Sequence, residues 1–559
     1  MVKLSEYELE REANIARNKL LLQQLELKAA VDDLGVSKAK AKSTAKPIQP
    51  GKREKRKREP EADLPRRQSA RLRKAVIDPN ESPQKRRKRE REEELQRRKE
   101  EEERLKREEE ARKASRPRHN KLDLIALVEN GPEDIESLSK SMKDIPKDIK
   151  KRVPDFDDFV YEDNKEEERL VAELRKKMSG LKVHARAKVT RSRVYCAAYH
   201  PEVTKDLIFF GDKEGALGIW DARAPPEEDE DAKQNEGEDR EGGRYWRIQL
   251  HWPANAKSSI SSIKVDPIDP HNVYTSSYDT TVRALSFTTG VSREIFHSDN
   301  LVNSIDLVPS GHEMWLSDTS GWVTHIDLRE SNQKHKSFQL SEQKIGSVSV
   351  NPTFPNFLAT ASNSRTVKVW DVRKLNTALE DFTDSEPQDS TIIDVNLEVI
   401  TEFAQSDKGK GCLRAEWQHD KSATAAFWDP RGRQLVSTSY DDTLRLWNFN
   451  NSKLFKEDAP FPSSRPFSRI KHNCQTGKWV TLLKARWTQN PDVYPYFTIG
   501  NMNHSVDIYS GKGDHIASLS DPRRITAVQA VTCSHPSVVE RVATANASGR
   551  CVLWAPKDL

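Results

Sequence analysis

The chain has 559 residues, more than one hydrophobic core normally spans, so regions of different character are expected. Charged residues make up 32% and apolar residues 35%, a balance too polar for a chain that is globular throughout. The formal net charge of +5 excludes a uniformly polycationic molecule, so any anionic partner must be met by local clusters.

The N-terminus, MVKLSEYELE, has no apolar leader core, and no run of about 18 apolar residues occurs, which predicts a soluble intracellular protein with no membrane partner. Residues 1–34 place Leu9, Ile15, Leu21, Leu22 and Leu25 at helical spacing, an amphipathic segment that either docks a partner or stays solvated. Residues 35–120 read as a disordered basic and charged region, poor in the aromatic residues a core needs. Its basic runs at 52–58 (KREKRKR) and 85–91 (KRRKRER) suit nuclear import. From 89 to 113 Glu interleaves with Lys and Arg, favouring an exposed helix laced by i,i+4 ion pairs. Residues 121–180 are a linker with short helices, DLIALVENG closed by Gly131 and EEERLVAELRKKM closed by Gly180. Between these helices, VPDFDDFVYED is expected to pack on the outside of the C-terminal domain.

From 181 to 559 the pattern becomes β. The clearest unit is FLATASNSRTVKVWDVRK, residues 357–374, which alternates around a polar turn at 363–365 and ends in Trp370-Asp371. That ending marks one blade of a WD-repeat propeller. Six further units of the same form end at Trp220, Leu285, Ile326, Trp447, Tyr509 and Trp554. The predicted fold is all-β, a seven-bladed WD-repeat β-propeller behind a largely disordered, charged, partly helical N-terminal region. No outer strand follows Trp554, so residues 182–190 (KVHARAKVT) are expected to close the ring and leave no strand edge open. Two insertions interrupt the spacing: an acidic disordered loop at 225–243, and residues 375–411, where IIDVNLEVITEF reads as an extended outer strand plus loop.

Enzymatic constellations are absent from the sequence. No Gly-rich phosphate loop, nucleophile elbow or metal-spaced His/Cys set occurs, and the five cysteines form no CxxC pair. A binding protein without cofactor, metal or enzymatic activity is expected. His419, Ser439, Asp441 and Trp447 are read as a structural hydrogen-bond set that satisfies a buried indole and carboxylate.

One pattern does point to a partner. In a propeller, the loops entering the innermost strands open on one face around the central channel. Just before that strand stand Arg191 and Arg193 in unit one, Lys257 in unit two and Lys344 in unit four. Lys421, Lys478 and the pair Arg523-Arg524 hold the same place in units five, six and seven, while unit three has Asn303. Turns on the same face add Arg365 and Arg550. Cations gathered on one rigid face would track a phosphate backbone. Trp479, beside Lys478, is either a wedge for a base stack or a residue buried between blades.

The stretch NPTFPNFLATASNSRTVKVWDVRKL, with Lys344 before it, resembles the corresponding blade of the small WD-repeat subunit of the UV-damaged-DNA-binding complex. Residues ending LLKARW resemble that subunit more weakly, and EREANIARNKLLLQQLEL with the whole propeller resembles the fungal WD-repeat DNA damage-binding family. The resemblance implies a nuclear DNA-binding protein, with preference for ultraviolet-damaged duplex and Lys344 on the DNA face. Where the human-type subunit carries a Phe-Gln-His wedge, this chain has Gly477-Lys478-Trp479, so the triad is not kept. The resemblance also draws attention to Trp-Asp-x-Arg, whose Arg in ligase-receptor propellers contacts a ubiquitin-ligase adaptor. Here Arg223 and Arg373 complete that motif, with Arg329 in a degenerate copy. A scaffold for such an adaptor or for chromatin proteins is the rival reading.

Overall fold

The computed structural model describes residues 96–98, 104, 119–128, 132–146, 152–225, 242–329, 335–385, 392–456, 460–462 and 465–557. The chain divides at residue 90, and every described residue lies in the second unit, Arg91–Leu559. The expected helix at 1–34, both basic runs, most of 35–120 and most of the acidic loop at 225–243 lie outside the described residues.

The described residues form seven sheets, one per blade. Their innermost strands, in chain order, are Val194–Tyr199, Ile260–Val265, Val302–Leu307, Ile345–Val350, Ala423–Trp428, Arg486–Trp487 and Val531–Ser534. Each blade is an antiparallel meander, and the strands next to the axis are covered on both faces by the neighbouring blades. Ring closure is carried by Lys182–Lys188, which runs antiparallel to Arg550–Ala555 with Val183 opposite Trp554 and Lys188 opposite Arg550. Gly549 makes the turn before this last strand at φ +83°, where a Cβ would collide with the Thr190 carbonyl.

Two blades gain a fifth strand. Lys121–Asp123 adds to the outer strand of blade 2, and Ile392–Val395 pairs in parallel with the outer strand of blade 3. Both correct the sequence reading. In place of the one short helix expected for DLIALVENG, Asp123 ends a strand and only Leu124–Ala126 makes a single short turn of helix, because an open sheet edge offers the strand's backbone partners that water would otherwise supply. Residues 129–131, with the expected stop at Gly131, lie outside the described residues. The 375–411 insertion is not one extended outer strand. Its described elements are the helix Val372–Ser385, the short blade 3 strand, and a helix at Leu397–Gln405 capped by Asn396, whose side chain accepts from Val399 N–H at 3.0 Å. The outer strand of blade 4 is Leu413–Gln418.

The segment before the propeller is strapped around it. Helix α1, Pro132–Lys143, buries Leu138 and Met142 in the cluster of blades 1 and 2, where Ser137 accepts from the Trp246 indole at 2.7 Å. Phe156 enters an aromatic pocket with Phe354 and Phe455, while Asp157 pairs with Arg433 at 2.9 Å. Helix α2, Asn164–Ser179, is capped by Asp163 and carries Glu166 and Glu167 in its first turn and Lys176 and Lys177 in its last. Its Val171, Leu174 and Met178 pack against blades 6 and 7. VPDFDDFVYED therefore does pack on the propeller, on the face opposite the loops that enter the innermost strands.

The expected hydrogen-bond set exists with different members. His419 bonds Asp441 through Nδ1 and Ser437 through Nε2, both at 2.9 Å. Ser439 instead donates to the carbonyls of Lys421 and Ser422. Among the described residues the Trp447 indole N–H meets no acceptor, and its ring stacks on Trp417 with centroids 4.7 Å apart. Blade 2 repeats the device: His251 bonds Asp279 and Thr275, each at 2.9 Å. The five cysteines are free thiols. No helix among the described residues is long and apolar enough to cross a membrane.

Candidate nucleic-acid interface

The innermost strand of blade 6 has only two residues, against six in blades 1 to 5. Its leading half is diverted into a loop, residues 472–485, that reaches over the mouth of the channel. At its base, Asp442 of blade 5 accepts from Cys474 N–H at 2.9 Å, and Gln475 Nε2 donates to the Tyr440 carbonyl at 2.6 Å. On the far side Thr481 donates to the carbonyl of Val194, in blade 1, at 2.6 Å. Arg193 donates to the carbonyl of Lys478 at 3.1 Å. Held at both ends, the loop presents Trp479 to solvent at 81% exposure, far above the other exposed large apolar side chains of the blades. The reading of Trp479 as buried between blades is thereby excluded.

The candidate cations separate into groups. Arg365 and Lys421 are exposed and share a groove of about 590 Å³ whose wall includes Tyr440 and Gln475. Asp420 also lines it, but pairs with Arg469 at 3.3 Å and with Arg445 at 3.7 Å. Arg365 sits at φ +70° in the turn between the second and third strands of blade 4. Lys478 continues this strip toward Arg193, which lies 5.8 Å from the Tyr195 ring centroid. Arg191 and Lys257 are exposed in the loops entering blades 1 and 2. Arg550 is half-buried at the start of the last strand.

Two expected members of the ring lie elsewhere. Arg524 is tied to the outer strand of blade 7: its carbonyl accepts from Arg186, and its guanidinium approaches the Val183 carbonyl at 3.5 Å. That places it on the flank of the disc, because the preceding outer strand of blade 6 delivers this turn to the rim; Arg523 beside it is exposed. Lys344 turns inward. Its Nζ lies 3.5 Å from the Tyr278 hydroxyl and 5.5 Å from that ring's centroid, and burial lowers its pKa. On the opposite face, Arg373 forks Asp371 at 3.0 and 2.6 Å, Arg223 pairs with Asp206 at 2.7 Å, and Arg329 forks Asp327. Lys368 pairs with Glu416 at 3.6 Å on the blade surface.

Residues 333–371 and 411–448 match the family described as WD domain, G-beta repeat. Over an alignment of 497 residues the chain is 36% identical to DNA damage-binding protein CMR1 of Cryptococcus neoformans, covering 80% of this chain and 83% of that one. It is 31% identical over 677 residues to DNA damage-binding protein CMR1 of Mycosarcoma maydis, covering 100% of both, and 32% identical over 573 residues to that of Phaeosphaeria nodorum, covering 99% of both. The chain belongs to the DNA damage-binding protein CMR1 family.

The family resemblance read from the sequence is therefore borne out. In this CMR1-family chain, sequence reasoning missed the aromatic partners of the cations, Tyr195 and Tyr278, whose rings meet edge to face at 6.4 Å. Tyr278 meets Lys344 only in space, so spacing along the chain gave no signal for it. Lys484 and Arg486 were also missed, although their spacing of two in the strand-like run LLKARW was a signal that both face one side.

Proposed function

We propose that this chain binds DNA in the nucleus, with preference for ultraviolet-damaged duplex, through the face that carries Trp479, and that it does so without catalysing a reaction. The observation that carries this reading is the exposed Trp479 on a loop pinned at both ends, with Lys478 and Arg193 beside it. An aromatic ring held in water by its backbone can stack on an unpaired base or wedge into a weakened step, while the neighbouring cations hold phosphates. Damaged duplex costs less to unstack than intact duplex, which is a physical source of preference. The groove holding Arg365 and Lys421 extends the same strip of charge. The name carried by the relatives, DNA damage-binding protein, supports the same class of ligand.

An adaptor contact through Arg223 or Arg373 would first have to break their carboxylate pairs, so the DNA reading is the one advanced. The test is competition between irradiated and intact duplex across a salt series, with wild type and Trp479→Ala. Preference for irradiated duplex that is lost in the variant is expected. Equal affinity for both duplexes in the wild type would sink the lesion preference, and absence of binding at physiological salt would sink the whole reading.

A further inference from the structure

Below the Trp479 loop three cations, Lys344, Lys484 and Arg486, gather at the channel. Ala485 N–H bonds Thr438 of blade 5 and its methyl packs in the cluster of blades 5 and 6. Lys484 and Arg486, on either side of it, turn the other way, toward the axis. Lys484 Nζ reaches the Gly346 carbonyl of blade 4 at 3.4 Å. The Arg486 guanidinium lies over the Phe427 ring, 4.1 Å from its centroid, and among the described residues it donates to no acceptor. Lys344 enters the same space from blade 4.

No carboxylate among the described residues pairs with any of these three cations. Asp306, whose charge reaches Arg486, is held by Lys264 Nζ at 2.7 Å and by Val350 N–H at 2.8 Å. Enclosure and the neighbouring charges of Arg486 and Lys344 bring Lys484 down to about 7. Gathering like charges in an enclosed space is costly unless an anion sits among them. A cavity of about 170 Å³ opens from the opposite mouth onto Arg486, lined also by Lys264, Ser262, Gln489 and Thr532, and by Asp266, whose carboxylate accepts from the Tyr274 hydroxyl at 3.1 Å and from Ile268 N–H at 2.8 Å. With a share of about 30 Å³ for each water in the liquid, this space exceeds that of a four-oxygen anion.

We propose that the axial channel is a binding site for a phosphate group, held by Arg486 and Lys484 with Lys344 above them. A phosphate there would accept from the planar fork of Arg486 and from the Lys484 ammonium, and would brace the strand that supports the Trp479 loop from below. The inference does not rest on the DNA reading, because the channel site uses different residues from the face that carries Trp479.

The probe is inorganic phosphate, with O-phosphoserine in a second arm to ask whether a monoester also enters. Thermal unfolding of the full chain is followed at pH 7 with phosphate against chloride at matched ionic strength. The expected result is a midpoint that rises with phosphate concentration and not with chloride, as binding to the native state requires. In Lys484→Met/Arg486→Met the phosphate-dependent rise should vanish, while Arg365→Gly/Lys421→Ala keeps it. Line broadening of phosphate in ³¹P NMR by the wild-type protein gives the same answer should the channel variant fail to fold. A response to O-phosphoserine as well as phosphate places the source on a larger molecule, and a response to phosphate alone places it in solution. Equal shifts with chloride, no broadening, or a rise that survives in the channel variant and disappears in the surface variant would overturn the proposal.

Discussion

Arg193 of the loop entering blade 1 donates to the carbonyl oxygen of Lys478 at 3.1 Å, joining residues 285 positions apart over the mouth of the channel. One residue further into blade 1, Val194 accepts from Thr481 at 2.6 Å. These two bonds pin the far end of the 472–485 loop and decide where Trp479 stands. Thr481→Val keeps the shape of the side chain and removes the donor, leaving the buried Val194 carbonyl short of a partner. A loss of about 1–2 kcal/mol, confined to this loop, is expected. Hydrogen exchange should accelerate over residues 472–485 and stay unchanged in blades 2 and 3. Uniform acceleration across the propeller would show that the bond supports the ring and not the loop.

Trp479 itself supports nothing beneath it. At 81% exposure, its removal creates no cavity, so Trp479→Ala should change global stability by less than about 0.5 kcal/mol. Stacking on a base is worth about 1–3 kcal/mol, so affinity for irradiated duplex should fall roughly 5- to 150-fold. Denaturant unfolding and fluorescence anisotropy on the same preparation check both statements. A variant that loses stability and affinity together would assign the ring a packing role.

The propeller was legible because period-two alternation and polar turns recur seven times, a pattern that needs no knowledge of packing. The closing strand was legible for the same reason, since a ring that lacked one outer strand had a β segment just before it. What failed were choices between residues that share a parity. Ser437 and Ser439 lie two apart on one strand and face the same side, so alternation could not say which meets His419. Asn396 turned a β-branched run into a helix because its side chain caps the N-terminus, and that bond outweighs the strand propensity of Val399, Ile400 and Thr401. Arg524 was placed on the face by sequence position and Lys344 by position and by the family resemblance, whereas side-chain length and the path of each loop carry Lys344 into the channel and Arg524 to the rim.

Acid should loosen the fold in a defined window. Burial, with the opposing pull of Asp279 and Asp441, keeps His251 and His419 below their ordinary value, and burial brings His200 down to about 4. These rings are neutral in the native state and take up protons more readily when unfolded, so stability present at pH 7 is lost as pH falls below about 6.5. Asp279 and Asp441 add a second loss at lower pH. Burial raises them, but hydrogen bonds from the histidine and the following threonine outweigh it and hold both at about 2. Their stabilisation is full above about 3.9 and fades as pH falls toward 2. Denaturation midpoints measured from pH 8 to 4 should be flat to about 6.5 and then decline. His419→Gln should flatten part of the first decline, and an unaltered profile would show that His419 does not contribute to it.

The groove beside the Trp479 loop allows a test in which affinity and fold are separated. Arg365 holds φ +70°, a conformation that strains any residue with a Cβ, and its carbonyl accepts from His419 N–H at 2.7 Å. Arg365→Gly keeps that backbone bond, relieves the strain and removes the cation. Lys421→Ala takes away an exposed ammonium whose neighbour Asp420 is already paired with Arg469 and Arg445. The double variant should therefore unfold at the same or a slightly higher denaturant concentration than wild type. Each phosphate contact contributes about 0.9 to the slope of log affinity against log salt, so that slope should shrink by roughly 2 in the double variant. The loss should be the same for irradiated and intact duplex, because phosphate contacts position the protein and read no lesion. A slope equal to that of wild type would remove this groove from the DNA path, and a loss confined to irradiated duplex would move it from the backbone to the lesion.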